Sequence, residues 1–225
     1  MDSIKEYFNL HNRMLRIFSQ VFYKEPDIHH LEVIKKYIPA LEEISKEYKI
    51  KMLDNGIKNF ETFFNNNQLD EKYIKQYAAE FAQLFLSVGI SIGKKSIIPQ
   101  ESVYLSPSGL SMQDERDEVL QFYYIYNIGK EKDFKEPEDH ICAEIYFISM
   151  LGDKAVENIE TVDDLKGSQY LNAVIDFMDR HLLKWLPMVE KDMCNLTNNL
   201  YFQGSVQVIY GLLLLEKEMI SDLLG

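Results

Sequence analysis

Apolar residues in this 225-residue chain recur at steps of three and four, and runs that alternate like a half-buried strand are scarce. Ile4, Phe8, Leu15, Phe18 and Phe22 share one stripe, with Lys5, Asn9, Arg13 and Arg16 away from it, so residues 4–22 read as an amphipathic helix stopped near Pro26. A second helix is expected from Pro39, a good first helical residue, to a left-handed cap at Asp54-Asn55-Gly56. A third starts near Leu69-Asp70 and carries Tyr73, Tyr77, Phe81, Leu84 and Phe85 toward Gly89. From Gly89 to Gly109, Gly, Ser and Pro accumulate and Pro99 and Pro107 exclude regular helix, which predicts the longest loop of the chain. Helical spacing resumes from Gln113 to Asn127, with acids in the first turn and Gly129 as the stop, and residues 130–135 read as a charged linker. Glu136-Pro137 should open a helix capped by Gly152, followed by helices over 163–183, 187–203 and 206–223. The expectation is an all-α, compact bundle of about nine to eleven helices, a single domain over 1–225, with 130–136 as the place where it would subdivide.

Composition narrows the function classes. Hydrophobic residues make up 46% of the chain, enough for a sizeable core, and two separated cysteines, Cys142 and Cys194, offer neither a disulfide framework nor a CxxC site. A formal charge of −12 repels a phosphate backbone or an anionic membrane and favours a basic ligand. The N-terminus lacks the basic and apolar regions of a secretory signal, and no apolar run is long enough to span a membrane, so the cytoplasm is the expected location.

The densest ionisable cluster is Glu136, Asp139, His140 and Glu144. In a helix begun at Pro137, His140 and Glu144 would share a face with Glu136 close by, a geometry that a helical metal-dependent enzyme could use; yet no HExxH pair completes it. The alternative is structural: Glu138 and Asp139 satisfy helix N-terminal amides and His140 is a half-buried polar residue. No GxSxG elbow, GxxxxGK[ST] or GxGxxG string occurs, and Cys142 beside Ile141 reads as a buried, inert thiol, so no catalytic residue is assigned. The 14 Tyr, 13 Phe and Trp185 supply aromatic surface for core packing or, beside a loop and acidic groups, for an apolar peptide with a basic end.

Several strings, taken in order, resemble one family, the TorD/DmsD/NarJ-type redox-enzyme maturation chaperones. They are Tyr77-Ala78 with Phe81 and Leu84-Phe85, Pro99-Gln100-Glu101-Ser102-Val103-Tyr104, Glu118-Val119 with Phe122-Tyr123, Glu136-Pro137-Glu138-Asp139-His140-Ile141 with Glu144 and Phe147, and His181-Leu182-Leu183-Lys184-Trp185-Leu186-Pro187. The resemblance implies a TorD-like helical chaperone, not an enzyme, dedicated to a molybdenum enzyme of the dimethyl sulfoxide reductase class. It would bind the twin-arginine leader and apo form of the catalytic subunit, assist molybdopterin cofactor insertion and delay export. The loop over 89–109 and the linker over 130–135 are places where helices could be exchanged between chains, so a monomer or a domain-swapped dimer is expected, with no resident cofactor or metal and, from the charge, no nucleic acid. Contact with the molybdopterin cofactor would be transient, and a guanine nucleotide is a further ligand the resemblance implies, although no phosphate-cradling loop is visible. On this basis Asp139 and His140, with Glu136 nearby, are expected to form an acidic lip for the leader's arginines. Glu101, Ser102 and Tyr104 would shape the adjoining loop, and Tyr77, Phe81 and Phe85 would offer apolar surface.

Overall fold

The computed structural model of the chain describes residues 2–67, 69–88, 95–160 and 164–225. Among these residues the fold is all-α, with ten α-helices and no strand. The predicted ends at Gly89 and Asp163, and the first residues of the long loop, lie outside the described residues.

The chain divides into two compact units. The first comprises Met1–Arg16, Gln100–Leu186 and Leu213–Gly225, and the second Ile17–Pro99 and Pro187–Leu212. The charged linker at 130–135 therefore lies inside the first unit, and α1 (Asp2–Ser19), α9 (Leu182–Leu196) and α10 (Leu200–Leu224) each supply residues to both.

In the second unit, α2 (Ile28–Tyr48) starts at Asp27, whose side chain accepts the His30 N–H at 2.7 Å, so Pro39 is an exposed residue within the helix and not its beginning. The break comes at Lys49, in the left-handed region at φ 53°, and α3 (Lys51–Asn66) runs straight through Asp54-Asn55-Gly56. Gly56 is there for close approach rather than for a turn: a Cβ on it would lie 2.7 Å from Val208 Cγ2 of α10. On α10, a Cβ on Gly211 would meet Leu53 N at 2.6 Å, so glycines on both helices let α3 and α10 touch backbone to backbone. Helix α4 (Glu71–Phe85) begins as expected, with Asp70 accepting from Lys72 N and Tyr73 N.

In the first unit, α6 (Asp114–Tyr126) is capped by Asn127 in the left-handed region at φ 51° and not by Gly129. Helix α7 (Ile141–Glu160) packs chiefly on α8 (Asp164–Arg180). Phe147 anchors this core, with Phe177 at 4.7 Å and Tyr123 at 4.8 Å between ring centroids. Gly152, expected as a cap, sits inside α7, where a Cβ would be 3.4 Å from the Phe8 ring. The helix expected over 163–183 ends at Arg180; His181 turns the chain into α9, which holds Pro187 in its interior. Within the long predicted loop, residues Glu101–Leu105 form a short helix, α5.

Candidate functional site

Three stretches distant in sequence meet inside the first unit. Gln100 and His140 pair as an isolated antiparallel bridge, and Glu101 N–H donates to Asp139 O at 2.9 Å. This pairing is why no helix opens at Pro137: residues 137–140 form a turn, closed by His140 N–H on Pro137 O at 3.1 Å, and α7 starts only at Ile141. The Asp139 side chain then caps a different helix. Its Oδ2 accepts from Ser102 N at 3.0 Å and from Ser102 Oγ at 2.5 Å, satisfying one amide and one hydroxyl at the start of α5.

Asp139 is 0% exposed, and Glu101, Ser102 and His140 are equally enclosed, so the expected acidic lip is not a surface feature. A carboxylate that supplies both its backbone oxygen and its side chain to α5 is spent on holding that segment. His140 Nδ1 accepts the Cys142 N–H at 3.1 Å, and its ring lies 5.3 Å from that of Phe134. Burial, with the Lys130 charge adding to it, pushes its pKa down to about 3, so the imidazole is neutral with its proton on Nε2.

Below this turn lies a second carboxyl pair. Glu101 Oε2 is 2.7 Å from His181 Nδ1, and Trp185 Nε1–H donates to Glu144 Oε2 at 3.3 Å. Burial, followed by the charges of Glu101 and Asp139, holds Glu144 well above the usual carboxyl range. Burial also raises Glu101, against the opposing pull of His181. Glu144 is therefore the protonated member of the pair. The Tyr104 ring lies over Trp185, with centroids 5.6 Å apart.

A helical metal site at Glu136, His140 and Glu144 is not assembled. Glu136 is exposed, His140 turns a ring nitrogen to a backbone amide, and Glu144 faces Trp185 and Glu101. Among the described residues no group of three or more His, Cys, Asp or Glu is arranged to hold a metal ion. No helix among them is long and apolar enough to cross a membrane.

Tyr77, Phe81 and Phe85 belong to the second unit and pack into its interior rather than presenting apolar surface. Tyr77 lies 5.4 Å from Phe63, and Phe85 contacts both Phe81 and Phe22. Tyr77 also lines a cleft of about 550 Å³ with Asn66, Asn67, Glu80 and Asn199, so it is the member of that set next to a cavity.

Some functional groups leave no local signal. Glu138 gathers Arg116 at 2.6 Å and Lys130 at 3.2 Å. The Tyr123 hydroxyl reaches Ala143 O at 3.1 Å and Glu138 O at 3.3 Å, tying α6 to the 137–140 turn and to the start of α7. The partners Glu101–His181 and Glu144–Trp185 stand 80 and 41 residues apart, visible beforehand only as members of separate family-like strings.

With this geometry in place, the comparisons with known proteins are specific. Residues 50–190 match the model of the nitrate reductase delta subunit family. A "Chaperone protein TorD" of Aliivibrio fischeri is 32% identical over 126 residues, covering 54% of this chain and 57% of its own length. Its namesake in Photobacterium profundum is 28% identical over 135 residues, covering 60% and 59%. The chain thus spans less than two thirds of the length of these two relatives. A solved structure of a candidate redox enzyme maturation protein from Archaeoglobus fulgidus aligns over 88% of this chain and 91% of its own, with a TM-score of 0.43 and 20% identity.

Proposed function

Because the chain belongs to the nitrate reductase delta subunit family, we propose that it is a maturation chaperone for a redox enzyme. Its client is the catalytic subunit of a molybdenum enzyme of the dimethyl sulfoxide reductase class. The chaperone takes up that subunit's twin-arginine leader in the cytoplasm, keeps the apoprotein open to molybdopterin cofactor insertion and delays export. One observation carries the reading: the strings around Glu101, Asp139 and Trp185 that resemble the maturation chaperones converge on a single buried cluster. The relatives named TorD chaperones support it.

Within this reading Asp139, Ser102, Glu101 and His140 position the peptide-binding surface without touching the leader. Exposed Glu136 and half-buried Tyr104 are the members of the set that a peptide reaches. Tyr77 borders the second unit's cleft, and Phe81 and Phe85 pack behind it in that unit.

The test is calorimetric titration of the purified protein with a synthetic twin-arginine leader, against a peptide in which both arginines are replaced by glutamine. Saturable binding that the control loses is the expected result. Equal binding of both peptides, or of neither, removes the leader from the proposal.

A further inference from the structure

Helix α6 carries a face that the core does not use. Val119, Phe122 and Tyr123 point inward, whereas Asp114, Asp117, Glu118, Gln121, Tyr124 and Ile125, at steps of three and four, are exposed. The exposed face is graded along the helix. Its first turns are acidic, and its last turn presents Tyr124 at 83% and Ile125 at 72% exposure. Side chains this large and apolar, adjacent and open to water, are what an interaction surface displays.

Tyr124 is also the rim of a groove. A cavity of about 430 Å³ lies between Leu120, Tyr124, the turn at Asn127, Ile128 and Lys130, and Glu138. Its polar floor is ion-paired, since Glu138 lies between Lys130 and Arg116 and Arg116 also reaches Asp117. The groove therefore offers apolar walls over an ion-paired floor, and the excess of carboxylates lies up-helix. There four carboxylates, Asp114, Glu115, Asp117 and Glu118, stand against Arg116, which Glu138 holds at 2.6 Å and Asp117 shares at 3.6 Å. Arg180 sits 3.5 Å from Glu118 in a half-exposed pair, and such pairs contribute little, so an incoming guanidinium can replace it.

We propose that this face of α6 and its adjoining groove are the docking surface for the client's leader peptide, taken up as a basic segment followed by an apolar one. The inference rests on the chaperone reading for the source of the peptide and adds where it binds and in which direction. Arginines lie along Asp114, Asp117 and Glu118, where a planar guanidinium takes carboxylates in pairs. The apolar segment lies on Tyr124 and Ile125 and drops a side chain into the groove. The spacing follows from the helix: seven residues from Asp117 to Tyr124 cover about 10 Å at 1.5 Å per residue. An extended peptide covers that in about three residues, so the first apolar anchor falls about three positions after the arginines.

The experiment is titration of the intact protein with the synthetic leader, using Tyr124→Ser with Ile125→Ser, and Asp114→Lys with Asp117→Lys. Leu165→Ser, an exposed residue on α8, serves as the control. Each α6 variant should bind at least about tenfold more weakly, Tyr124→Ser with Ile125→Ser at an unchanged melting temperature and Asp114→Lys with Asp117→Lys at one lowered only by the lost match to the helix dipole, measured well below either melt, and Leu165→Ser should bind as the parent does. Inserting three residues between the arginines and the apolar run of the peptide should weaken binding comparably. If the parent binds the leader and both α6 variants match it within about twofold, docking lies elsewhere and the chaperone reading survives. If the parent binds no leader, both fall together.

Discussion

Replacing Asp139 by Ala isolates the link between the turn at 137–140 and α5. Two donors, Ser102 N and Ser102 Oγ, terminate on the same Oδ2 at 3.0 and 2.5 Å, in a site with 0% exposure. Hydrogen bonds to a charged acceptor contribute about 1.5–3 kcal/mol each, and stranding buried donors costs toward the upper end of that range. Against this, alanine removes a carboxylate whose other oxygen, Oδ1, has no hydrogen-bond partner, which relieves part of a desolvation cost. The difference is a net loss of about 3 kcal/mol. For a chain of this length each kcal/mol lowers Tm by about 2–4 °C, so Asp139→Ala should melt roughly 6–12 °C below the parent.

Asp139→Asn keeps an oxygen where Oδ2 was and should lose only about 1 kcal/mol. Far-UV circular dichroism melts of the three proteins at neutral pH make the comparison. An Asp139→Ala protein that melts within about 2 °C of the parent refutes the capping of α5. An Asn variant as unstable as the Ala variant shows instead that the charge matters, and not the acceptor geometry.

Three further outcomes follow from the same contacts. His140, held neutral with its pKa near 3 against 6.5 unfolded, contributes stability that is complete above pH 6.5 and lost as pH falls toward about 3; the stability gap between His140→Gln and the parent should therefore narrow by roughly 2 kcal/mol between pH 6.5 and 5 in chemical denaturation, and a constant gap means the imidazole is not buried neutral. Glu144 has the opposite sign: raised by burial, it loses stability as pH rises above 4.5. Glu144→Gln, which keeps an acceptor for Trp185, should match or exceed the parent's Tm at neutral pH, with an advantage that grows from pH 5 to 8; a large loss there would mean the carboxylate is ionised. Gly211→Ala drives a Cβ to 2.6 Å from Leu53 N and should cost about 3 kcal/mol or more in chemical denaturation, whereas an unchanged midpoint would show that α3 and α10 do not meet there.

The helices were legible where one apolar stripe faced one core. Residues 4–22 and 71–85 repeat at helical spacing and carry ordinary stops and caps, so they emerge close to where the pattern puts them. Punctuation by glycine and proline misled elsewhere, because both residues serve tertiary ends. Gly56 and Gly152 are narrow points where another segment crosses, and Pro39 and Pro187 lie inside helices. The candidate cluster was half legible. Resemblance drew attention to Asp139, Glu101 and Trp185, but their burial depends on a two-residue antiparallel bridge between 100 and 140, and no local period signals such a pairing. The α6 face was legible in principle. Tyr124 and Ile125 break the polar side of an amphipathic helix, a departure that the inward-facing Val119, Phe122 and Tyr123 obscure.

A buried network of three carboxyls and two imidazoles is a costly way to hold a loop, since apolar residues of the same volume would do so at less expense in desolvation. What apolar packing lacks is direction. Segment 95–105 has no ladder of its own to set its register, and a Leu-for-Leu contact would let it slide by a residue. The bonds from Ser102 to Asp139, from His181 to Glu101 and from Trp185 to Glu144 each accept one position only. The turn carries Glu138 O and the start of α7 carries Ala143 O, on both of which the Tyr123 hydroxyl of α6 rests, so the register of the buried cluster also sets the floor of the groove beside Tyr124. The two sets of residues should then separate under measurement. Loss of Asp139 weakens peptide binding only in proportion to lost stability and is rescued by lowering the temperature, whereas loss of Tyr124 and Ile125 weakens it equally at every temperature below the melt. A binding defect in Asp139→Ala that persists undiminished in the cold, with the fold intact, would place that carboxylate in contact with the peptide after all.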